Sequence, residues 1–64
     1  MKRYVVRDRE AGTSWIDSFA TIQECVDRIR KYEEEDKKDG FYEEGIYEVY
    51  DNLKEEIVIH GYEL

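Results

Sequence analysis

Thr21-Ile22-Gln23-Glu24-Cys25-Val26-Asp27-Arg28-Ile29-Arg30-Lys31-Tyr32 decides the fold of this 64-residue chain. Up to Phe19 the apolar residues alternate as they do in a strand. From Thr21 they recur at i, i+3, i+4 and i+7, as Ile22, Cys25, Val26, Ile29 and then Tyr32 or Glu33, which lays one apolar stripe along a helix. Thr21-x-x-Glu24 has the spacing of a capping box: the hydroxyl can accept the amide of residue 24 while the carboxylate reaches back to the amide of Thr21. Acid-before-base pairs at i, i+4 (Glu24 with Arg28, Asp27 with Lys31, Glu33 with Lys37, Glu34 with Lys38) each favour an exposed helix by about 0.2–0.5 kcal/mol. Lys37 and Lys38 suit the negative end of the helix dipole, and Gly40 can supply a left-handed stop. Together these signals predict a helix at about 21–38.

Working outward, residues 2–8 are β-branched and aromatic in the middle and charged at both ends, which predicts a strand. Glu10-Ala11-Gly12-Thr13 reads as a tight connection, with Gly12 supplying a positive φ. Ser14 to Phe19 is a second strand, with Trp15, Asp17 and Phe19 on one face and Ile16 on the other. Beyond the helix, Ile46 to Tyr50 is a third strand, with Tyr47 and Val49 on one face and Ile46, Glu48 and Tyr50 on the other. Asp51 to Glu55 reads as a turn, although Asn52-x-x-Glu55 also has the spacing that caps a short helix. Glu56 to His60 is a fourth strand, because three consecutive β-branched residues disfavour helix. The expected fold is α+β: a single antiparallel sheet, β-β-α-β-β in strand order 2-1-3-4, with one helix packed on one face and residues 1–64 forming one domain. One helix cannot hide both faces of a sheet. The other face, carrying a share of Tyr4, Trp15, Tyr47, Tyr50 and Tyr62, is then either amphipathic and wet or a contact surface.

So short a chain buries only about 60% of its unfolded surface, so its core is thin. Cys25 is the only cysteine and His60 the only histidine, which excludes an internal disulfide and leaves no ligand set for a structural metal. Self-association or a partner is the remaining source of stability, and a homodimer is expected on that ground. No apolar run approaches the roughly 20 residues of a membrane span. Met1-Lys2-Arg3 opens too charged for a signal peptide, so the expected location is cytoplasmic.

Seventeen acids against ten bases give a net charge of −7, unevenly placed: residues 1–9 carry four bases and one acid, residues 31–56 eleven acids and four bases. That excess repels phosphate and anionic lipid, which disfavours nucleic acid and membranes and points to a basic protein surface.

Glu33, Glu34, Glu35 and Asp36 lie at the exposed end of a helix, where a solvated face is the ordinary reading and the buried setting that acid–base catalysis needs is missing. Asp36-x-x-Asp39-Gly40 departs from a calcium loop, since Lys38 stands where a ligand belongs. Cys25 falls on the apolar stripe as a small core residue, and with no third group near His60 the chain is read as non-enzymatic, with no cofactor. Gly12, Gly40, Gly45 and Gly61 read as isolated turn glycines. Six Tyr and one Trp cover an undersized sheet or anchor a binding face, Arg3, Arg7 and Arg9 lying beside them. Glu33 to Glu56 approaches the charge density of DNA, about one per 1.7 Å, which is the basis for mimicry of a phosphate backbone.

Tyr4-Val5-Val6-Arg7-Asp8-Arg9-Glu10-Ala11-Gly12, Phe19-Ala20-Thr21, Tyr32 to Gly40 and Tyr47-Glu48-Val49 together resemble a group of small uncharacterised acidic proteins of phages and conjugative elements of Gram-positive gut bacteria. The likeness covers residues 3–50, is most specific in its first run, and fails at Trp15 and Cys25. That group has no established activity, so no catalytic residue is carried over. The resemblance implies a setting in which small acidic proteins often inhibit host defence machinery.

The expected function is therefore a non-catalytic acidic protein-binding module, a mobile-element accessory or inhibitor protein that engages a basic surface of a host protein, with mimicry of nucleic acid against a defence nuclease as one form. Glu33, Glu34, Glu35, Asp36, Asp39, Glu43 and Glu44 would steer, and Trp15, Tyr42 and Tyr47 would anchor. The alternative is a small dimeric regulator that dimerises through its open sheet face and contacts nucleic acid through Arg3, Arg7 and Arg9.

Overall fold

A computed structural model describes residues 2–9 and 14–64; the connection expected at Glu10 to Thr13, with Gly12, lies outside the described residues. The elements are β1 (Tyr4–Asp8), β2 (Ser14–Phe19), α1 (Ile22–Asp39), β3 (Tyr47–Asp51), β4 (Glu56–Ile59) and a 3-10 turn over Gly61–Glu63. The strands form one sheet in the order β2-β1-β3-β4 with every neighbouring pair antiparallel, as the path of the chain predicted.

Both ends of α1 follow from named residues. Thr21 is extended, and its Oγ1 accepts the amide of Glu24 at 3.2 Å. Glu24 closes the box differently from expectation, accepting the Thr21 hydroxyl at 3.0 Å. At the other end Gly40 takes φ 79°, its N–H bonds Lys37 O, and the N–H of Phe41 bonds Asp36 O at 2.7 Å. That pair of bonds is a Schellman stop, which satisfies two of the carbonyls that a helix end leaves open. Arg28 and Lys37 reach aromatic rings, Phe19 at 5.6 Å and Tyr42 at 4.6 Å.

The core lies between α1 and one face of the sheet. Val6, Cys25, Ile29, Tyr47 and Val49 are buried in it, with Tyr4, Phe19, Tyr32, Ile46, Val58 and Ile59 packed around them. Only Cys25 and Ile29 of the helical stripe are fully enclosed, while Ile22 and Val26 are half-buried at its margins.

One correction follows from the ladder. Tyr4, Val6 and Asp8 lie across from Phe19, Asp17 and Ser14, but the register slips between Val6 and Arg7, so Arg7 lies across from Trp15. One extra residue in β2 makes a bulge there, which moves Trp15 off the face of Asp17 and Phe19 and onto the face of Arg7. Between β3 and β4 the chain makes the expected turn rather than the alternative short helix, and Asp51 Oδ1 accepts the amides of Leu53 and Lys54 at 2.9 and 3.2 Å. Glu55 completes that turn at φ 57°.

Candidate functional site

The face of the sheet away from α1 is where an open contact surface was expected, and its centre is closed. Val5, between Ser18 and Tyr50 in the ladder, is 1% exposed although it is outside the helix-covered cluster. Arg7 lies with its guanidinium 4.2 Å from the centre of the Tyr50 ring and donates to Glu48 Oε2, from Nε at 3.1 Å and also from Nη2. Glu48 is 4% exposed, so this ion pair is itself part of the closed centre of that face. Neither reading made from the sequence, a wet face or a free one, describes the middle of it.

The three arginines of the nucleic-acid alternative all have partners inside the molecule. Arg3 bonds both carboxylate oxygens of Asp51, at 3.2 and 3.0 Å. The Asp51 carboxyl is held down at about 2 by those bonds, against the burial that pushes it up, with the amides of Lys54 and Leu53 helping. Arg7 is paired as described, and Arg9 Nη1 donates to Gly45 O at 3.0 Å.

The expected partner-binding residues divide into groups. Tyr47 is buried; its hydroxyl donates to Asp36 Oδ2 at 2.5 Å and its ring meets that of Tyr32 at 5.7 Å. Burial first, and then the bond to Asp36, push its phenol far above the usual range. Tyr47 and Asp36 are therefore corrected from partner contacts to parts of the packing between α1 and β3. Trp15 is 51% exposed, but the bulge places it on the face opposite α1, away from the acidic helix end it was expected to serve. Glu33 is half-buried.

What remains together is one end of the molecule. Glu34, Glu35 and Asp39 are exposed on the last turns of α1, and Glu43 and Glu44 are exposed on the connection to β3. Between them stand Tyr42, 36% exposed with Lys37 against its ring, and Phe41, 76% exposed. Sequence reading did not single out Phe41 because it belongs to no periodic element; its position just past the left-handed Gly40 was the available signal. This connection is pinned at its far end, where Gly45 takes φ 74°, Arg9 N bonds Ile46 O at 2.9 Å, and Gly61 packs on the Gly45 backbone. A Cβ on Gly61 would stand 2.1 Å from Gly45 O, so Gly61 is a close-approach glycine and not simply a turn glycine.

Three depressions, of about 230, 220 and 280 Å³, lie at Arg9 and Glu43 to Ile46, along α1 at Phe19 to Lys31, and along β2 at Trp15 to Ser18. Each is smaller than the roughly 300–1,000 Å³ usual for ligand pockets. Cys25 is fully buried, and burial pushes its thiol up to about 11, far from the thiolate a nucleophile needs. His60 stacks on Tyr62 with ring centres 5.2 Å apart. Among the described residues no three His, Cys, Asp or Glu side chains converge as metal ligands, and no helix is long and apolar enough to cross a membrane. No family model, curated protein or solved structure matches the chain.

Proposed function

We propose that this protein is a non-catalytic binding module that engages a basic protein surface through the end formed by the last turns of α1 and the connection to β3. The observation that carries this reading is the exposure, along the last turns of α1 and the connection that follows, of five acids, Glu34, Glu35, Asp39, Glu43 and Glu44, and of the rings of Phe41 and Tyr42. Acids accelerate the encounter with a cationic partner, and aromatic anchors slow its release. The internal partners of Arg3, Arg7 and Arg9 weigh against the regulator that would use them on nucleic acid.

In the setting that the sequence resemblance implies, the partner is a host protein whose basic surface ordinarily meets nucleic acid, and the acids occupy the place of its phosphates. The chain would then act as an inhibitor by mimicry. Capture from a bacterial lysate with the tagged chain tests this. The expected result is a basic protein, released by salt, whose recovery falls about tenfold for Glu43→Lys with Glu44→Lys and for Phe41→Ala. Recovery unchanged by charge reversal would refute the reading.

A further inference from the structure

The connection from α1 to β3, which carries Phe41 to Glu44, is held at both ends. At the helix end the N–H of Phe41 bonds Asp36 O at 2.7 Å, and Asp36 Oδ2 accepts the hydroxyl of Tyr47, the first residue of β3. At the strand end the hold comes from two remote parts of the chain. Arg9, just past β1, donates its amide to Ile46 O at 2.9 Å and its guanidinium Nη1 to Gly45 O at 3.0 Å. Gly61, the first residue of the 3-10 turn after β4, is buried against the Gly45 peptide, and a Cβ there would collide with the O, C and Cα of Gly45. These are backbone atoms, so no side chain can swing aside to make room. The sheet does not require this contact: the pairing of β3 with β4 runs from Asp51 opposite Glu56 to Val49 opposite Ile59 and stops short of both glycines.

Arg9 and Gly61 thus act on one peptide group, that of Gly45, immediately after Glu43 and Glu44. Arg9, Glu43, Glu44, Gly45 and Ile46 line one depression of about 230 Å³. We propose that the Gly61–Glu63 turn is a latch on the acidic end, and that Gly61 and Arg9 are positioning residues that fix Gly45 and so set how Glu43 and Glu44 are presented. A connection already held in one conformation gives up little freedom on binding, whereas each residue ordered at the moment of contact costs affinity. The coupling runs in both directions. Whatever draws the turn off Gly45 loosens the acidic end, and a partner seated on the acidic end tightens the turn, because the two share one contact. The consequence for binding rests on the reading of the acidic end given above; the latch itself is a property of the free chain.

Backbone order parameters and amide hydrogen exchange of the full chain, measured by NMR, test the latch without a partner. Residues 43–46 should be as rigid as the strands, with order parameters near about 0.85, and Gly61→Ala should lower them below about 0.6. The Arg9 amide, which reports on its bond to Ile46 O, should exchange about tenfold faster in that variant while the amides of Val6 and Val49 keep their rates. Arg9→Met removes the bond to Gly45 O without adding bulk at Gly61, so it answers the question even where Gly61→Ala impairs folding. It should speed exchange about threefold at Arg9 and, through Gly45, at Glu63, whose amide bonds His60 O. Leu53→Lys, on the 73% exposed turn at the other end of β4, should change none of these rates. Gly61→Ala alters no charge, yet it should lower recovery of the captured basic protein about threefold. Residues 43–46 already loose in the unaltered chain, an unchanged Arg9 amide in both variants, or a rise spread equally over Val6 and Val49 in both would overturn the latch. Full recovery by a loosened variant would overturn the positioning roles. Recovery indifferent to charge reversal at Glu43 and Glu44 would instead refute the binding surface, and the amides would still decide the latch.

Discussion

The two faces of this sheet solve the same problem by different physics. On one side Val6, Tyr47 and Val49 meet Cys25 and Ile29, and water is excluded by hydrocarbon packed against hydrocarbon. On the other side the described residues supply no second helix, yet Val5 is as well hidden as Val6, and beside it Arg7 sets its guanidinium 4.2 Å from the centre of the Tyr50 ring and pairs with Glu48. A chain with one helix thus closes its second face with the stem of an arginine and an aromatic ring. The difference teaches that a sheet face lacking a covering layer is not thereby a binding surface. The exposed apolar side chains stand instead at the margins, among them Trp15 and Ile16 on β2 and Phe41 past α1.

If the faces work as described, they should fail differently. Ile29→Ala cuts back the largest fully buried side chain of the molecule's described residues, the one α1 sets against the covered face, and should cost about 3 kcal/mol, part lost transfer energy and part cavity; urea unfolding would show a lowered midpoint with an unchanged slope. On the open face, Glu48→Ala strands the Arg7 guanidinium over a dry strand and should cost about 2 kcal/mol. The distinguishing experiment is the double variant Arg7→Met with Glu48→Leu, which removes both charges and should recover most of that loss. If the double variant is as unstable as the single one, the open face is held by the ion pair itself. Tyr50→Leu keeps the cover apolar while removing the ring under Arg7, and should cost only about 1 kcal/mol in the same measurement.

Signals confined to one element were legible in the sequence. Thr21 and Gly40 mark the two ends of α1, and the alternation from Tyr47 to Tyr50 assigns the faces of β3 correctly. The strand order follows from the position of the helix between β2 and β3. What sequence could not supply was set by pairing at a distance. The bulge opposite Arg7 shifts Trp15 to the other face, and a one-residue slip leaves no mark in a run as short as Ser14 to Phe19. Tyr47 reads the same whether its face meets the helix or solvent, and only the packing of α1 makes it core. Arg3 with Asp51, Arg7 with Glu48 and Gly61 against Gly45 join residues far apart in the chain, and no local spacing announces them. Of the candidate site, the exposed acids were legible from their density, while its most exposed ring, Phe41, was not.

The smallest effect concerns the margin of the sheet, where Arg3 and Asp51 make the second ion pair. It differs from Arg7 with Glu48 in exposure: the Arg3 side chain is 40% exposed, against 14% for Arg7, so solvent screens it. The Asp51 carboxyl is nevertheless held at about 2 when folded, below its usual value near 4 in the unfolded chain. A depressed folded value means that the unfolded state binds the proton more readily. The contribution of Asp51 is therefore complete above about pH 4 and is lost as the pH falls towards about 2. Acid titrates every carboxylate of the chain, so the quantity to measure is the difference in urea midpoint between the protein and Asp51→Asn. The Asn side-chain oxygen can still accept the Leu53 and Lys54 amides, which leaves the turn intact and isolates the charge. That difference should be constant from neutral pH down to about 4 and should shrink below it. A difference that persists undiminished to pH 2 would mean that it does not arise from the ionised carboxylate, and that of the two ion pairs only the one on the open face contributes as a charge pair.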